Sequence, residues 1–418
     1  MKHLLWILLL GFQSSAEAQR LAIMQGLTTE SSTEFVILAP ESENFDFRLR
    51  SKQGTEYQAS LVRQHFNDPS QWKIYYVSFL NLPWSAHFDF QVLKGSETID
   101  LRRARLLPLS LFAPNILVAS CMKDTLDADR QDPMWDAVEK QKPDIAFFVG
   151  DNVYAARNTA LDPHEMWEKY ARARNRIKFF RQKELTPTLA IWDDHDYGLN
   201  DGDETYPHKT AMWDVLRVFF PQTVTPNVLE RGPGASFLFR AFGQDFYFMD
   251  GRSFRSPKKT NNPTLWGPDL EKWLLQNLSS SRQPGWIING TQIFGKLSVS
   301  ENYEEDQKES FKSMMAELKK IPRPLGFITG DRHHSELAKI PSSFLGYTTF
   351  EVTSSAMHAN KQDFHLPLPP NPRRIAGTFR DNFVILSPRA GSQILSVHME
   401  GRGKNNKRYF QEYFQIRK

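Results

Sequence analysis

Three short polar groups carry most of the chemistry in this chain: Gly150-Asp151-Asn152-Val153-Tyr154, Trp192-Asp193-Asp194-His195-Asp196 and Gly330-Asp331-Arg332-His333. Each follows an apolar run, Ile145 to Val149, Thr188 to Ile191 and Gly326 to Thr329, that reads as a buried parallel strand. Open α/β sheets gather ligands just outside the carboxyl ends of their strands. Carboxylates, imidazoles and a phenol far apart in sequence are therefore expected to meet at one spot. That donor set suits metal ions, and the reading it supports is a two-metal hydrolase.

The residue types set the chemistry more closely. Asp151 can bridge two cations with its two oxygens, although a Gly-Asp pair alone also caps loops. A phenol, with a pKa of about 10, is a poor ligand for most divalent ions. A hard trivalent cation can strip its proton, so Asp-x-x-Tyr (Asp151, Tyr154) points at ferric iron. Cys121, the only cysteine, also follows an apolar run and would add a thiolate; its plainer reading is a small buried hydrophobe. Asp193, Asp194, His195 and Asp196 crowd charge that only cations or donors can compensate. Asp194 is the expected ligand of the second metal. His195 would stand beside the metals, holding a phosphate oxygen or protonating a leaving alkoxide, with Asp196 orienting its ring. Alternate residues of an extended chain share a face, so Asp331 is assigned to the second metal and His333 to the first. His334 reads as a core or surface histidine. Arg252, after an expected strand from Asp245 to Met249, could offer a guanidinium to phosphate; a salt bridge to Asp250 is the competing reading. Two cations roughly 3.5–4 Å apart acidify a bridging water and clamp a phosphoryl oxygen, leaving an in-line path for attack.

The elements that must position these residues fall into two parts. Residues 19–110 look all-β: Thr33 to Ala39, Phe45 to Arg50, Trp72 to Phe79 and His87 to Leu93 read as short strands of a small sandwich. A Pro-rich linker from Leu107 to Pro114 follows. From residue 111 onward strands and helices alternate, which describes a layered α/β domain. Helices are expected over Pro133 to Lys142, from Asp162-Pro163-His164-Glu165 to about Lys183, over Pro268 to Leu278 and over Glu304 to Lys320. Arg172, Arg174, Arg176 and Arg181 read as a solvated helix face. Late strands are expected at Trp286 to Asn289, Thr348 to Val352, Phe383 to Leu386 and Ile394 to Met399.

With its motifs taken together, the stretch from about Asn115 to Leu337 resembles the alkaline phosphatase D family of metallophosphoesterases. The resemblance rests on Ser120-Cys121, the Gly150 to Tyr154 group and Trp192 to Asp201. It extends through Asp250-Gly251-Arg252-Ser253-Phe254-Arg255, Trp273-Leu274 and Gly330 to His333. It implies an α/β fold: a four-layer metallophosphoesterase β-sandwich flanked by helices, with a small N-terminal all-β sandwich. It also implies hydrolysis of phosphomonoesters or phosphodiesters with Fe3+ and a divalent ion. Cys121, Asp151 and Tyr154 carry over to the iron side, and Asp194 and Asp331 to the divalent side. His195 takes the position of the catalytic histidine, and His333 that of the last metal-binding histidine. Ser120-Cys121 replaces the Asp-x-His opening of the wider superfamily, and Asp194 and Asp331 replace its Asn and His. The extra oxygen ligands favour Ca2+, with Mg2+, Mn2+ or Zn2+ as alternatives.

Composition bounds the remainder. The chain has 418 residues, 40% hydrophobic and 13% aromatic, as a globular protein of about two domains should. Its net charge of +4, from 52 basic and 48 acidic residues, is no nucleic-acid signature. Residues 1–18 read as a secretory leader: Met1-Lys2-His3, an apolar Leu4 to Phe12, then Ala16-Glu17-Ala18. The apolar part is too short to span a bilayer, so export to the periplasm or the extracellular space is expected. Two further readings stand beside the phosphatase: a phosphodiesterase or phospholipase acting on lipid or cell-wall polymers, for which Tyr409, Phe410 and Phe414 read as exposed aromatics, and a phosphate-ligand binding protein without turnover.

Overall fold

The computed structural model describes residues 21–155, 159–296, 301–359, 368, 370–391 and 393–418. The leader expected over residues 1–18 lies outside them. Among the described residues no helix is long and apolar enough to cross a membrane.

The N-terminal part is a sandwich of two four-stranded antiparallel sheets. One runs Ala22–Thr28, Thr33–Pro40, Trp72–Phe79, Leu61–Phe66 in spatial order; the other runs Glu56–Gln58, Asp46–Ser51, Phe88–Lys94, Glu97–Ala104. Phe35, Phe47, Tyr75, Phe79 and Phe90 fill the space between them, with Phe35 and Phe90 stacked at 4.0 Å. Asp46–Ser51 alternates exposed and buried residues, as a one-sided strand does. Thr33–Pro40 does not, because its second face is also covered: Ala22, Met24, Val36, Leu38 and Ile74 join the core of the larger part.

That larger part holds two mixed sheets face to face. The six-stranded sheet runs Thr188–Ile191, Ile145–Val149, Ile116–Ala119, Phe383–Gly391, Ile394–Arg402, Arg408–Arg417. The eight-stranded sheet has Gln244–Met249, Gly285–Asn289, Leu325–Thr329 and Thr349–Thr353 as its parallel centre. Period-two alternation assigns each aromatic to a layer. Phe147 points inward and meets Phe246 at 5.2 Å and Phe248 at 5.1 Å from the opposite sheet. Its neighbour Phe148 points outward, against Trp135 of the Ala128–Gln141 helix. Tyr247, between two inward phenylalanines, packs on Trp273 of the Gly267–Ser280 helix. The layers are therefore helix, sheet, sheet, helix, the α/β sandwich expected from the sequence.

Several local expectations change. The Ala128–Gln141 helix begins before Pro133, which sits in its second turn. The Pro163–Arg176 helix starts with the expected capping box, Asp162 and Glu165 each accepting from the other's backbone N–H at 2.8 and 2.9 Å. It ends at Arg176, and Lys178–Arg181 adds only a 3-10 turn. Arg174 is buried rather than solvated. Its guanidinium lies over the Phe180 and Phe220 rings and donates to the Phe219 carbonyl at 2.7 Å, the planar stacking that arginine permits. At the C-terminus, Arg408–Arg417 forms an edge strand that the sequence reading missed. Phe410 is buried there and Phe414 packs on Phe350 at 5.1 Å, so neither is an exposed aromatic; Tyr413 is.

Candidate metal centre

The C-terminal ends of strands from both sheets meet along one seam. Ile116–Ala119 delivers Cys121, Ile145–Val149 delivers Asp151 and Tyr154, and Thr188–Ile191 delivers Asp193 to Asp196. From the facing sheet, Leu325–Thr329 delivers Asp331 and His333, and Thr349–Thr353 delivers Ser355. The approach is close enough to require glycine. A Cβ on Gly330 would lie 2.5 Å from the Val149 carbonyl oxygen of the opposite sheet. Gly150, at φ 91°, leaves no room either: a Cβ there would sit 2.6 Å from that of Asp193.

Cys121, Asp151, Asp331 and His333 all adopt left-handed backbone angles, φ 58°, 52°, 67° and 51°. Glycine would occupy such positions at lower cost. Retaining functional side chains on strained backbone is a common feature of working sites. It also corrects one premise. Asp331 and His333 reach the site through a tight turn, not through alternation along an extended chain.

The side chains form three overlapping groups: Cys121, Asp151 and His333; Asp151, Asp194 and His195; Asp193, Asp194 and Asp331. In each, one donor atom per residue lies within 4.8 Å of the others. The Tyr154 hydroxyl donates to Asp151 Oδ2 at 3.2 Å and lies 3.0 Å from His333 Nε2. The Cys121 Sγ is 3.4 Å from the same Asp151 oxygen and 2.9 Å from the Ser355 hydroxyl. Asp194 accepts from the backbone N–H of His195 and Asp201, both at 2.8 Å. The His195 ring lies against that of Tyr154, centroids 4.2 Å apart.

Electrostatics shows what this group lacks. Burial, reinforced by Cys121 and the neighbouring aspartates, raises the Asp151 pKa well above the carboxylate range. Burial and the charges of Asp193, Asp194 and Glu301 do the same to Asp331. Burial raises the Cys121 thiol and, with help from Asp151, the Tyr154 phenol. Asp194 is the exception: burial opposes its charge, but Arg252 and His195 hold it below the ordinary value. Burial lowers His195 and His333. Asp193 Oδ2 and His195 Nδ1 are buried with no hydrogen-bond partner. Clustered buried carboxylates with orphaned donor atoms are what bound cations would satisfy, and thiol, phenol, imidazole and carboxylate are all groups that bind metal ions.

Two expected roles change. Arg252 is fully buried, at 0% exposure. It donates to Asp193 Oδ1 at 2.6 Å, Glu301 Oε2 at 2.9 Å and the Thr291 hydroxyl at 3.0 Å. Its guanidinium thus braces Asp193 instead of facing a substrate, and the ion pair is not with Asp250. Asp196 does not orient the His195 ring either. It accepts from the backbone N–H of Asp151, Asn152 and Asp193, which fixes the loops behind the site. His334 is a core histidine, its Nδ1 on the Arg332 carbonyl at 2.9 Å.

The sequence reading named Asp193 in the charged run without giving it a ligand role, and it overlooked Ser355. The Ser355 hydroxyl touches Cys121 Sγ and accepts from the His333 backbone N–H at 2.7 Å, tying the two sheets together. It follows a strand that was expected, so the strand-end rule applied there would have found it.

No family model matches this chain, nor does any curated protein. A solved structure does: one described as the structure of PhoD superposes with a TM-score of 0.69, covering 94% of this chain and 91% of that one. The chain has the PhoD fold. Sequence identity to PhoD is 13%, so the correspondence is one of architecture. The PhoD fold extends over the N-terminal sandwich as well as the layered part, and the resemblance expected from scattered motifs is thereby met in three dimensions.

Proposed function

We propose that this chain is an exported metal-dependent phosphoesterase. The observation that carries the reading is the buried convergence of thiol, phenol, imidazole and carboxylate groups on the seam of a PhoD fold. In this reading Cys121, Asp151, Tyr154 and His333 hold ferric iron. Asp194 and Asp331 hold a divalent ion, Ca2+ by the oxygen-rich donor set, with Mg2+, Mn2+ or Zn2+ as alternatives. Bound there, such cations would acidify water and neutralise a phosphoryl group.

The protein's own groups do the remainder. Asp151 reaches both sides of the cluster and sets their spacing. Arg252 and Thr291 fix Asp193 from beneath, and Glu301 holds Arg252 in place. His195 holds a phosphoryl oxygen or hands a proton to the leaving alkoxide. Removing such a proton-transfer group costs about 10²–10⁴-fold in rate.

The test is phosphate release by purified protein from a mono- and a diester of 4-nitrophenol, beside His195→Ala. Turnover that falls at least a hundredfold in the variant, with metal retained, supports the reading. Tight phosphate binding without turnover by the wild type would make this a binding protein.

A further inference from the structure

A carboxylate that turns freely makes a poor metal ligand, because its orientation must be fixed each time an ion arrives. Asp194 does not turn freely. Its Oδ1 accepts from the His195 N–H and its Oδ2 from the Asp201 N–H, both at 2.8 Å. The first donor is its immediate neighbour. The second lies in the Leu199 to Asp203 turn, beyond the single helical turn Asp194–Tyr197.

That second turn is built around its donor. Asp201 sits at φ 55°, a left-handed angle, while its side chain is exposed. What the strained angle delivers to the site is the backbone N–H. The surrounding contacts keep it there. The Gly202 N–H donates to the Leu199 carbonyl at 2.8 Å, and the Glu204 N–H to the Arg255 carbonyl at 2.9 Å. The Tyr197 hydroxyl donates to the Asp203 carbonyl at 3.0 Å, from a buried ring packed on Trp192. Arg252 Nη1 lies 3.5 Å from the Gly202 carbonyl oxygen. Gly202 leaves no slack: a Cβ there would stand 2.7 Å from the Leu199 carbonyl oxygen and 3.0 Å from the Tyr197 ring. The groups assigned to iron are held by other partners. The Ser355 hydroxyl meets Cys121 Sγ and the His333 N–H, and Asp196 accepts from the Asp151 N–H.

We propose that the Leu199 to Asp203 turn is a positioning device for the divalent-ion side of the centre, with the Asp201 backbone N–H setting Asp194 and Gly202 and Tyr197 setting Asp201. The turn tunes divalent-ion affinity and leaves the iron side alone. The proposal rests on the phosphoesterase reading above, in which Asp194 is a ligand of the divalent ion. Disturbing a group that orients a metal ligand costs about 10–100-fold in metal affinity.

The test compares full-length wild type, Gly202→Ala, Tyr197→Phe and Asp201→Gly. Each is freed of divalent ions with a chelator and titrated with Ca2+ and Mn2+ by calorimetry, and its iron is measured by elemental analysis. Gly202→Ala is expected to weaken the ion that the wild type binds by about tenfold or more. Tyr197→Phe, which loses one hydrogen bond and keeps its ring packing, is expected to weaken it about threefold. Both should keep their iron. Asp201→Gly retains the N–H and a residue at ease with φ above zero, so its affinity should stay within about twofold of wild type. Unchanged divalent affinity in Gly202→Ala, or iron lost in step with the divalent ion, would overturn the proposal. A tenfold loss in Asp201→Gly would also overturn it, since the carboxylate itself would then be the active group. If Gly202→Ala does not fold, Tyr197→Phe decides, and unchanged affinity there overturns the proposal. A wild type that binds neither divalent ion brings down the two-metal reading and this proposal together, whereas a wild type that binds one with unaltered variants brings down the proposal alone.

Discussion

Replacing Arg252 by glutamine separates a bracing role from a substrate-binding role. The guanidinium is dry and serves two carboxylates, Asp193 at 2.6 Å and Glu301 at 2.9 Å. Removing one partner of a buried ion pair costs about 3–5 kcal/mol, because the remaining charge has no water to turn to. Glu301 keeps Arg255 and Lys258. Among the described residues Asp193 keeps the Thr291 hydroxyl at 2.9 Å on one oxygen, and its other oxygen has no hydrogen-bond partner. The loss therefore falls mainly on Asp193, and we expect about 4 kcal/mol from urea unfolding of metal-free protein. The pH dependence has a definite sign. Burial, only partly offset by Arg252, already raises Asp193 to about 6. Without Arg252 its folded pKa rises further, so the penalty relative to wild type grows as pH climbs above about 6, where wild-type Asp193 ionises, and shrinks as pH falls back toward it. Adding Asp193→Asn should recover part of the loss, with a coupling of about 1–3 kcal/mol in a double-mutant cycle. A variant within about 1 kcal/mol of wild type, but with a much raised KM for phosphate esters, would refute this reasoning and return Arg252 to the substrate.

Two further outcomes follow from the same geometry. Burial disfavours the Glu301 charge, but Arg252, Arg255 and Lys258 overcome it and hold the pKa at about 2. That stability, on the order of 3 kcal/mol, is present above the unfolded glutamate pKa and disappears as pH falls through 2, so Glu301→Gln should flatten the acid limb of a stability profile taken from pH 5 downward. In the proposed assignment Tyr154→Phe should remove the ferric–phenolate part of the visible absorption of the iron-loaded protein, and Cys121→Ser should lower iron content; an unchanged visible spectrum in an iron-retaining Tyr154→Phe protein would remove the phenol from the ligand set.

The layered fold was legible because buried parallel strands read as unbroken apolar runs, and Ile145–Val149 and Thr188–Ile191 are such runs. The edge strand Arg408–Arg417 was not, because one side is wet and charged residues break the apolar signal. At the site, residue types at strand ends marked Cys121, Asp151, Asp194, Asp331 and His333 as candidates, and the fold gathers them into the buried groups described above. They could not show which charges neutralise each other. Arg174 looks like a surface cation in sequence and Arg252 like a phosphate ligand or a partner of Asp250, and only the positions of Phe180, Phe220 and Asp193 reveal what each serves. The Asp331–His333 pair does lie among the buried groups, but through a left-handed turn and not through the alternation of an extended chain.

Asp151 belongs to both the Cys121–His333 group and the Asp194–His195 group. Elemental analysis of purified wild type against Asp151→Asn therefore tests the central claim most directly. About two metal equivalents per chain, iron among them, are expected in the wild type, with both largely lost in a folded Asp151→Asn protein. A wild type that binds no metal, or a variant that retains both ions, would contradict the account.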